Sequence, residues 1–280
     1  MHIARVVVGD EEPRFGVVTG QEESTAEAVV ALVQGDPLFQ PLQLTGERIP
    51  LAETRLLAPV IPRSKVVGVG RNYPDHADEM GARVPGEPLL FLKPNTAVIG
   101  PDAPVVLPEA STEVHHEGEL AVVIGRMCKD VPIERAGEVI FGYTCANDVT
   151  ARDLQREDGQ WTRAKGFDTF CPVGPWIATR LDPSDVVVET RVNDELRQSG
   201  CTSDLVHSVA QLVSFVSSVF TLLPGDVILT GTPAGVGPLQ AGDRVAVTVP
   251  GIGTLTNPVV AASDDLDDET EAGTGAGDPE

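Results

Sequence analysis

The sequence predicts a β-rich α+β protein. Three observations carry this. Eight short segments rich in β-branched residues and bounded by turn formers recur between residues 65 and 260. Helical patterns are few and do not alternate regularly with those segments, which argues against a doubly wound parallel sheet. The 28 glycines and 23 prolines supply the turns that many short strands require. At 280 residues the chain can bury one large core or a small and a larger one.

Taken in order, "IARVVV" and "RFGVVTG" read as a hairpin joined by "GDEEP". "STAEAVVALVQGDP" then reads as a short helix, with Ser24 and Glu27 as a capping box and Gly35 at its end. Prolines 50, 59 and 62 mark a connector, so a small N-terminal α/β domain is expected over residues 1–62. The main domain, 63–262, holds the strands "KVVGVG", "PLLFLK", "GELAVVIG", "IFGYTCAND", "VVVETRVND", "DVILTG", "RVAVTVPG" and "GTLTNPVV". Its best helix is "SVAQLVSFVSSVF", with Ser208 and Gln211 as a capping box; "TARDLQRE", opened by Thr150, is a shorter one. Residues 263–280 form an acidic tail expected to be disordered.

The formal net charge is −22, and the tail carries eight of the 42 acids. So acidic a chain is a poor partner for nucleic acid or an anionic membrane surface. An anionic small substrate would need cations built into its site. Cys128, Cys145, Cys171 and Cys201 are widely spaced with no CxxC pair, and no signal-peptide pattern or long apolar segment is present. A reduced, cytoplasmic protein with free thiols is expected.

"HHEGELAVVIG" places Glu117 and Glu119 at the mouth of an unbroken apolar strand. Residues two apart on a strand share a face, so the two carboxylates repel unless a cation lies between them. A hard divalent ion such as Mg²⁺ suits that arrangement, although for the pair alone a solvated strand end is the favoured explanation. Asp148 follows another apolar strand, and Arg152 four residues on offers a cation for a substrate carboxylate. Asp153 is expected to support the helix start. His76 and Glu79 lie three apart on a short helix, where a carboxylate orients a histidine as a general base. Gly68 and Gly70 precede them, but the third glycine of a dinucleotide loop is missing. Arg71 and Lys93 are further cations near apolar strands, and Lys165 sits among Trp161, Phe167 and Phe170, where desolvation would suit catalysis. "LTGTPAGVG" is a loop whose amides and Thr232 are suited to an anion.

The order "GVGRNYPDHADEMG", "PLLFLKPNTAVIGP", "HHEGELAVVIG", "FGYTCANDVTARDLQ", "WTRAKGFDTFCPVGPW", "LLPGDVILTGTPAGVG" resembles the fumarylacetoacetate hydrolase family over residues 63–260. The look is that of its acylpyruvate hydrolases, oxaloacetate decarboxylases and 2-hydroxyhepta-2,4-diene-1,7-dioate isomerases. The resemblance implies a mixed β-sheet roll, a homodimer, and Mg²⁺ or Mn²⁺ (Ca²⁺ also fits) on Glu117, Glu119 and Asp148. It places His76 and Glu79 on a lid dyad, Lys165 on the catalytic lysine, and Arg152, Gln155 and Thr232 around the pyruvoyl end of a small anionic oxo-acid. Arg71 and Tyr73 join them as expected substrate-binding residues. His116 departs from a tyrosine common there, and strand alternation turns it away from the metal face. The expected reaction is C–C cleavage of an acylpyruvate-like 2,4-dioxo acid, a water activated by His76 attacking C4 and leaving a pyruvate enolate. Decarboxylation or isomerisation would use the same site, and a non-catalytic metal and oxo-acid binder is the alternative of another class.

Overall fold

The computed structural model describes residues 1–20 and 28–262. The Ser24–Glu27 capping box and the acidic tail lie outside the described residues. Five strands come first: β1 (His2–Val7), β2 (Arg14–Thr19), β3 (Val29–Val33), β4 (Leu44–Pro50) and β5 (Arg55–Leu57). β3 corrects the expected helix. Its residues pair antiparallel with both β2 and β4, and that pairing overrides the Ala- and Leu-containing pattern that read as helical.

The main region adds β6 (Val66–Gly70), α1 (Pro74–Glu79), β7 (Leu89–Lys93), β8 (Val98–Ile99), β9 (Val105–Leu107), β10 (Val114–His116), β11 (Gly118–Ile124) and β12 (Ile140–Asn147). It continues with β13 (Thr150–Ala151), α2 (Arg152–Asp158), α3 (Thr162–Gly166), β14 (Cys171–Ala178), β15 (Val187–Val192), β16 (Glu195–Cys201) and α4 (Val209–Val219). Last come β17 (Val227–Leu229), β18 (Gly237–Pro238), β19 (Arg244–Val249) and β20 (Gly253–Ala261). All eight expected main-region strands form. α4 carries the expected capping box, with Ser208 and Gln211 each bonding the other's backbone. α2 starts at Arg152 rather than Thr150, whose hydroxyl donates to the Asp148 carbonyl instead of capping the helix.

One mixed sheet runs β4-β3-β2-β1-β14-β12-β11-β17-β6-β7. β1 pairs antiparallel with β14, so the N-terminal strands extend the same sheet as the main region. β17 and β6 run parallel; most other pairs are antiparallel. A second sheet, β16-β15-β19-β20-β9, packs across part of the first.

β11 lies at the centre and explains its own sequence. Leu120, Val122 and Ile124 pack with Val188, Val247 and Leu212 from the second sheet and α4. Ala121 and Val123 pack on the opposite face with Val66, Val173 and Val227. A strand buried on both faces needs an apolar run rather than alternation. At about 1.5–3 kcal/mol for each fully buried large side chain, this strand anchors the sheet. Among the described residues the four cysteines are free, and no helix is long and apolar enough to cross a membrane.

Candidate metal centre and active site

β11 begins where its apolar run ends. Gly118, between the two glutamates, faces the second sheet; a Cβ there would lie 1.9 Å from the Thr190 hydroxyl oxygen. Only glycine lets the two sheets approach so closely at this point. Glu117 and Glu119 then project to the other side. Asp148, just past β12, joins them, and one ligand oxygen from each of the three lies within 4.8 Å of the others. All three are buried.

Buried cations meet two of these acids. Lys165 donates to Glu117 Oε2 (2.7 Å) and Asp148 Oδ2 (2.6 Å). Lys93 donates to Asp148 Oδ1 (2.5 Å), and Arg152 Nη2 donates to Glu117 Oε1. Lys93 and Lys165 are only 1% and 2% exposed, so their chains are committed to this cluster. Glu119 accepts a hydrogen bond from Gly231 N–H (2.6 Å) but has no cationic partner among the described residues. Burial, then the charges of Asp148 and Glu117, pushes its carboxyl well above the usual range. Burial opposes ionisation of Glu117 too, but Arg152 and Lys165 hold it below the usual range. Three hard oxygen donors in close reach, one without a counter-charge, fit a divalent cation of the Mg²⁺ or Mn²⁺ class.

One cavity of about 260 Å³ opens onto this cluster. Arg71, His76, Glu117, Glu119, Arg152, Gln155, Lys165 and Thr232 all line it, so most of the expected site residues converge. His76 comes from α1, whose N-terminal Pro74 presets the helical φ. Its Nδ1 lies 3.3 Å from Glu79 Oε2, and burial lowers its pKa from 6.5, so the imidazole is neutral at pH 7. Glu79 also accepts from Gly235 N–H (3.1 Å), which ties α1 to the 229–237 loop. Arg152 donates to Gln155 Oε1 (2.9 Å), one turn along α2.

Several expectations change. Tyr73 does not line this cavity; its buried hydroxyl has no hydrogen-bond partner among the described residues, and it borders a neighbouring cavity with Gly200 and Pro233. The Thr232 hydroxyl donates to Gly118 O (2.9 Å) and accepts from Gln198 Nε2 (2.7 Å). The carboxylates held by the amides of the 229–237 loop are the protein's own, Glu119 through Gly231 N–H and Glu79 through Gly235 N–H. Asp153 does accept from Leu154 N–H (2.9 Å) in the first turn of α2, but it also binds Ser111 Oγ (2.7 Å) and Thr112 N–H (2.8 Å). His116 is turned from the cavity onto Gln198 (3.1 Å), and burial depresses its pKa to about 4.

Two residues escaped sequence reasoning. Lys93 read as one cation among several; its lone signal was a lysine closing an apolar strand. Gln198 carried none. Its Oε1 accepts from Gly118 N–H (2.9 Å) and His116, while Nε2 donates to Thr232 and to Pro233 O (2.7 Å). This buried amide therefore spends its full capacity tying the carboxylate-bearing strand to the 229–237 loop.

Comparison with known proteins agrees with this geometry. The family described as fumarylacetoacetate (FAA) hydrolase C-terminal matches residues 65–260, and an Rv2993c-like N-terminal family matches residues 1–59. Protein Rv2993c of Mycobacterium tuberculosis is 54% identical over 267 residues, covering 93% of this chain and 98% of that protein. Oxaloacetate tautomerase YcgM of Escherichia coli is 46% identical, covering 68% of this chain and 90% of its own. The crystal structure of a 5-carboxymethyl-2-hydroxymuconate delta-isomerase from Mycobacterium smegmatis superposes with a TM-score of 0.86 at 55% identity, covering 93% of this chain and all of the other. A maleylpyruvate hydrolase from Sphingobium sp. SYK-6, solved with manganese(II) and pyruvate, gives 0.75 at 36%, covering 93% and 99%. With its mixed sheet, its carboxylate cluster and a match across most of its length, the chain belongs to the fumarylacetoacetate hydrolase family.

Proposed function

We propose that the protein is a divalent-metal-dependent enzyme that moves a proton at the carbon beside the carbonyl of a 2-oxo acid, acting as a tautomerase or isomerase. The observation that carries this is a cluster of three buried carboxylates joined by a buried lysine, of which Glu117, Glu119 and Lys165 line one small cavity together with His76, itself paired with Glu79. The relatives support it: a tautomerase at 46% and isomerases at 50% and 55% identity are more similar to this chain than a maleylpyruvate hydrolase at 36%.

Glu117, Glu119 and Asp148 would hold the cation, which when bound supplies a Lewis acid for the carboxylate and 2-oxo oxygens of the substrate. The remaining work falls to the chain. Arg152, braced by Gln155, lends positive charge beside the substrate carboxylate. Glu79 occupies His76 Nδ1, which leaves Nε2 as the basic nitrogen. The C3–H bond breaks, the proton passes to Nε2, and its electron pair becomes a C2=C3 double bond as the carbonyl pair moves to oxygen. Lys165 stabilises the charge on that oxygen. Return of the proton to oxygen gives the enol, and return to a conjugated carbon shifts a double bond.

The His76–Glu79 pair also favours a second reading. With a water in place of the C3 proton, it would drive C–C cleavage of a 2,4-dioxo acid. Enol-to-keto conversion of oxaloacetate and disappearance of acetylpyruvate, both followed by ultraviolet absorbance with Mg²⁺ or Mn²⁺ supplied, separate the two. Accelerated tautomerisation without pyruvate release is expected. Release of pyruvate from acetylpyruvate with no tautomerisation would establish the hydrolase instead.

A further inference from the structure

The 229–237 loop that meets Glu119 is itself held from behind, by a residue that does not line the cavity. Asn72 lies just ahead of α1 and is only 1% exposed. Its Nδ2 donates to Thr230 O (2.8 Å) and to His207 O (3.0 Å), and its Oδ1 accepts from His207 N–H (2.9 Å). Its own carbonyl accepts from Val206 N–H (2.8 Å). Both side-chain donors face carbonyls and the acceptor faces an N–H, so the amide fits in one orientation only.

Thr230 O and Gly231 N–H belong to one peptide group. That group accepts from Asn72 on its carbonyl side and donates to Glu119 Oε2 (2.6 Å) on its amide side. A peptide is planar, so fixing the carbonyl fixes the direction of the N–H. A bond accepted at the carbonyl also polarises the N–H and strengthens it as a donor. Gly231 has a φ of 105°, and a Cβ there would fall 2.7 Å from Asn72 Cβ. The glycine lets Asn72 close on the peptide and permits the turn that aims its N–H at Glu119. Glu117 and Asp148 are oriented by ion pairs with Lys165. Glu119 has no such pair among the described residues, so its direction depends on this amide.

We propose that Asn72 is a positioning residue for the metal site. Through the Thr230–Gly231 peptide it fixes Glu119 with Oε2 turned to the loop and the other oxygen left for the cation. This rests on the three carboxylates holding that cation. Because Asn72 does not line the cavity, its effect passes through the peptide.

The test compares the wild type with Asn72→Ala and Asn257→Ala. Asn257 is a matched control: it is 2% exposed, does not line the cavity, and donates from Nδ2 to Gly100 O and Ala103 O (both 2.8 Å). NMR of the metal-free protein reads the Gly231 amide proton, and calorimetry below the melting temperature reads Mn²⁺ affinity. Asn72→Ala should move that proton upfield, as its bond to Glu119 loosens, and weaken Mn²⁺ binding by about tenfold or more, the scale for a group that orients a metal ligand. Asn257→Ala should leave both unchanged. An unmoved Gly231 proton in Asn72→Ala, an unchanged Mn²⁺ affinity, or an equal loss in Asn257→Ala would overturn the role. If Asn72→Ala does not fold, the wild type decides. Mg²⁺ should then move the Gly231 amide proton and the Asn72 side-chain amide protons together, and a Gly231 shift with Asn72 unmoved would overturn the role as well. A wild type that binds no Mn²⁺, with the Gly231 proton still moved by Asn72→Ala, would overturn the cation reading and uphold the hold of Asn72 on Glu119.

Discussion

The apolar run of β11 and the acidic stretch at its mouth are both buried and differ in what surrounds them. Leu120–Ile124 lie between two apolar layers, where burial itself is the stabilising term. Glu117 and Glu119 are as inaccessible, yet their burial costs free energy that Arg152, Lys165 and Gly231 offset only in part. One strand thus carries an anchor that owes nothing to function and a cluster that owes its existence to it. Substitutions at the two ends should separate stability from activity.

The largest effect is expected at Glu119. Glu119→Gln removes the one ligand without a cationic partner, so the melting temperature should hold or rise. Mn²⁺ affinity and turnover should each fall by about a hundredfold or more. Calorimetry beside thermal unfolding checks this, and an intact Mn²⁺ affinity would break the contrast. Leu120→Ala should do the reverse: about 2–5 kcal/mol lost in denaturant unfolding, with Mn²⁺ affinity in the folded protein little changed. Gln198→Leu falls between them. It leaves Gly118 N–H unpaired, at about 1–3 kcal/mol, and frees the Thr232 hydroxyl, so KM should rise more than kcat falls.

The smallest effect concerns pH. As the proposed base, His76 would work only when neutral, so activity should be present above its pKa and lost as pH falls through it. Burial lowers that pKa from 6.5, which places the acid limb of the kcat/KM profile below pH 6.5. Glu79 acts in the opposite direction by favouring the charged ring, so Glu79→Gln should move the limb further down. A limb moved upward would mean that another group sets it.

The same contrast explains what the sequence could reveal. Glu117, Glu119, His76 and Glu79 were legible because their partners are two or three residues away, where strand and helix periods fix the geometry. Lys93 and Gln198 act on Asp148 and Gly118, 55 and 80 residues distant, and no local spacing announces such a contact. The error at Val29–Val33 has the same origin: its neighbours Arg14–Thr19 and Leu44–Pro50 decide its conformation, not its own pattern. Gly118 shows the converse case, a local signature whose cause, Thr190, is remote.

Everything proposed for the cavity depends on Glu117, Glu119 and Asp148 holding a divalent cation on which the 2-oxo acid is seated. A crystal structure with Mn²⁺ and oxalate tests it most directly. Anomalous density is expected bonded to one oxygen of each carboxylate at about 2.0–2.2 Å, with oxalate chelated to the ion and facing His76. Mn²⁺ bound elsewhere, or oxalate seated away from the three carboxylates, would contradict it.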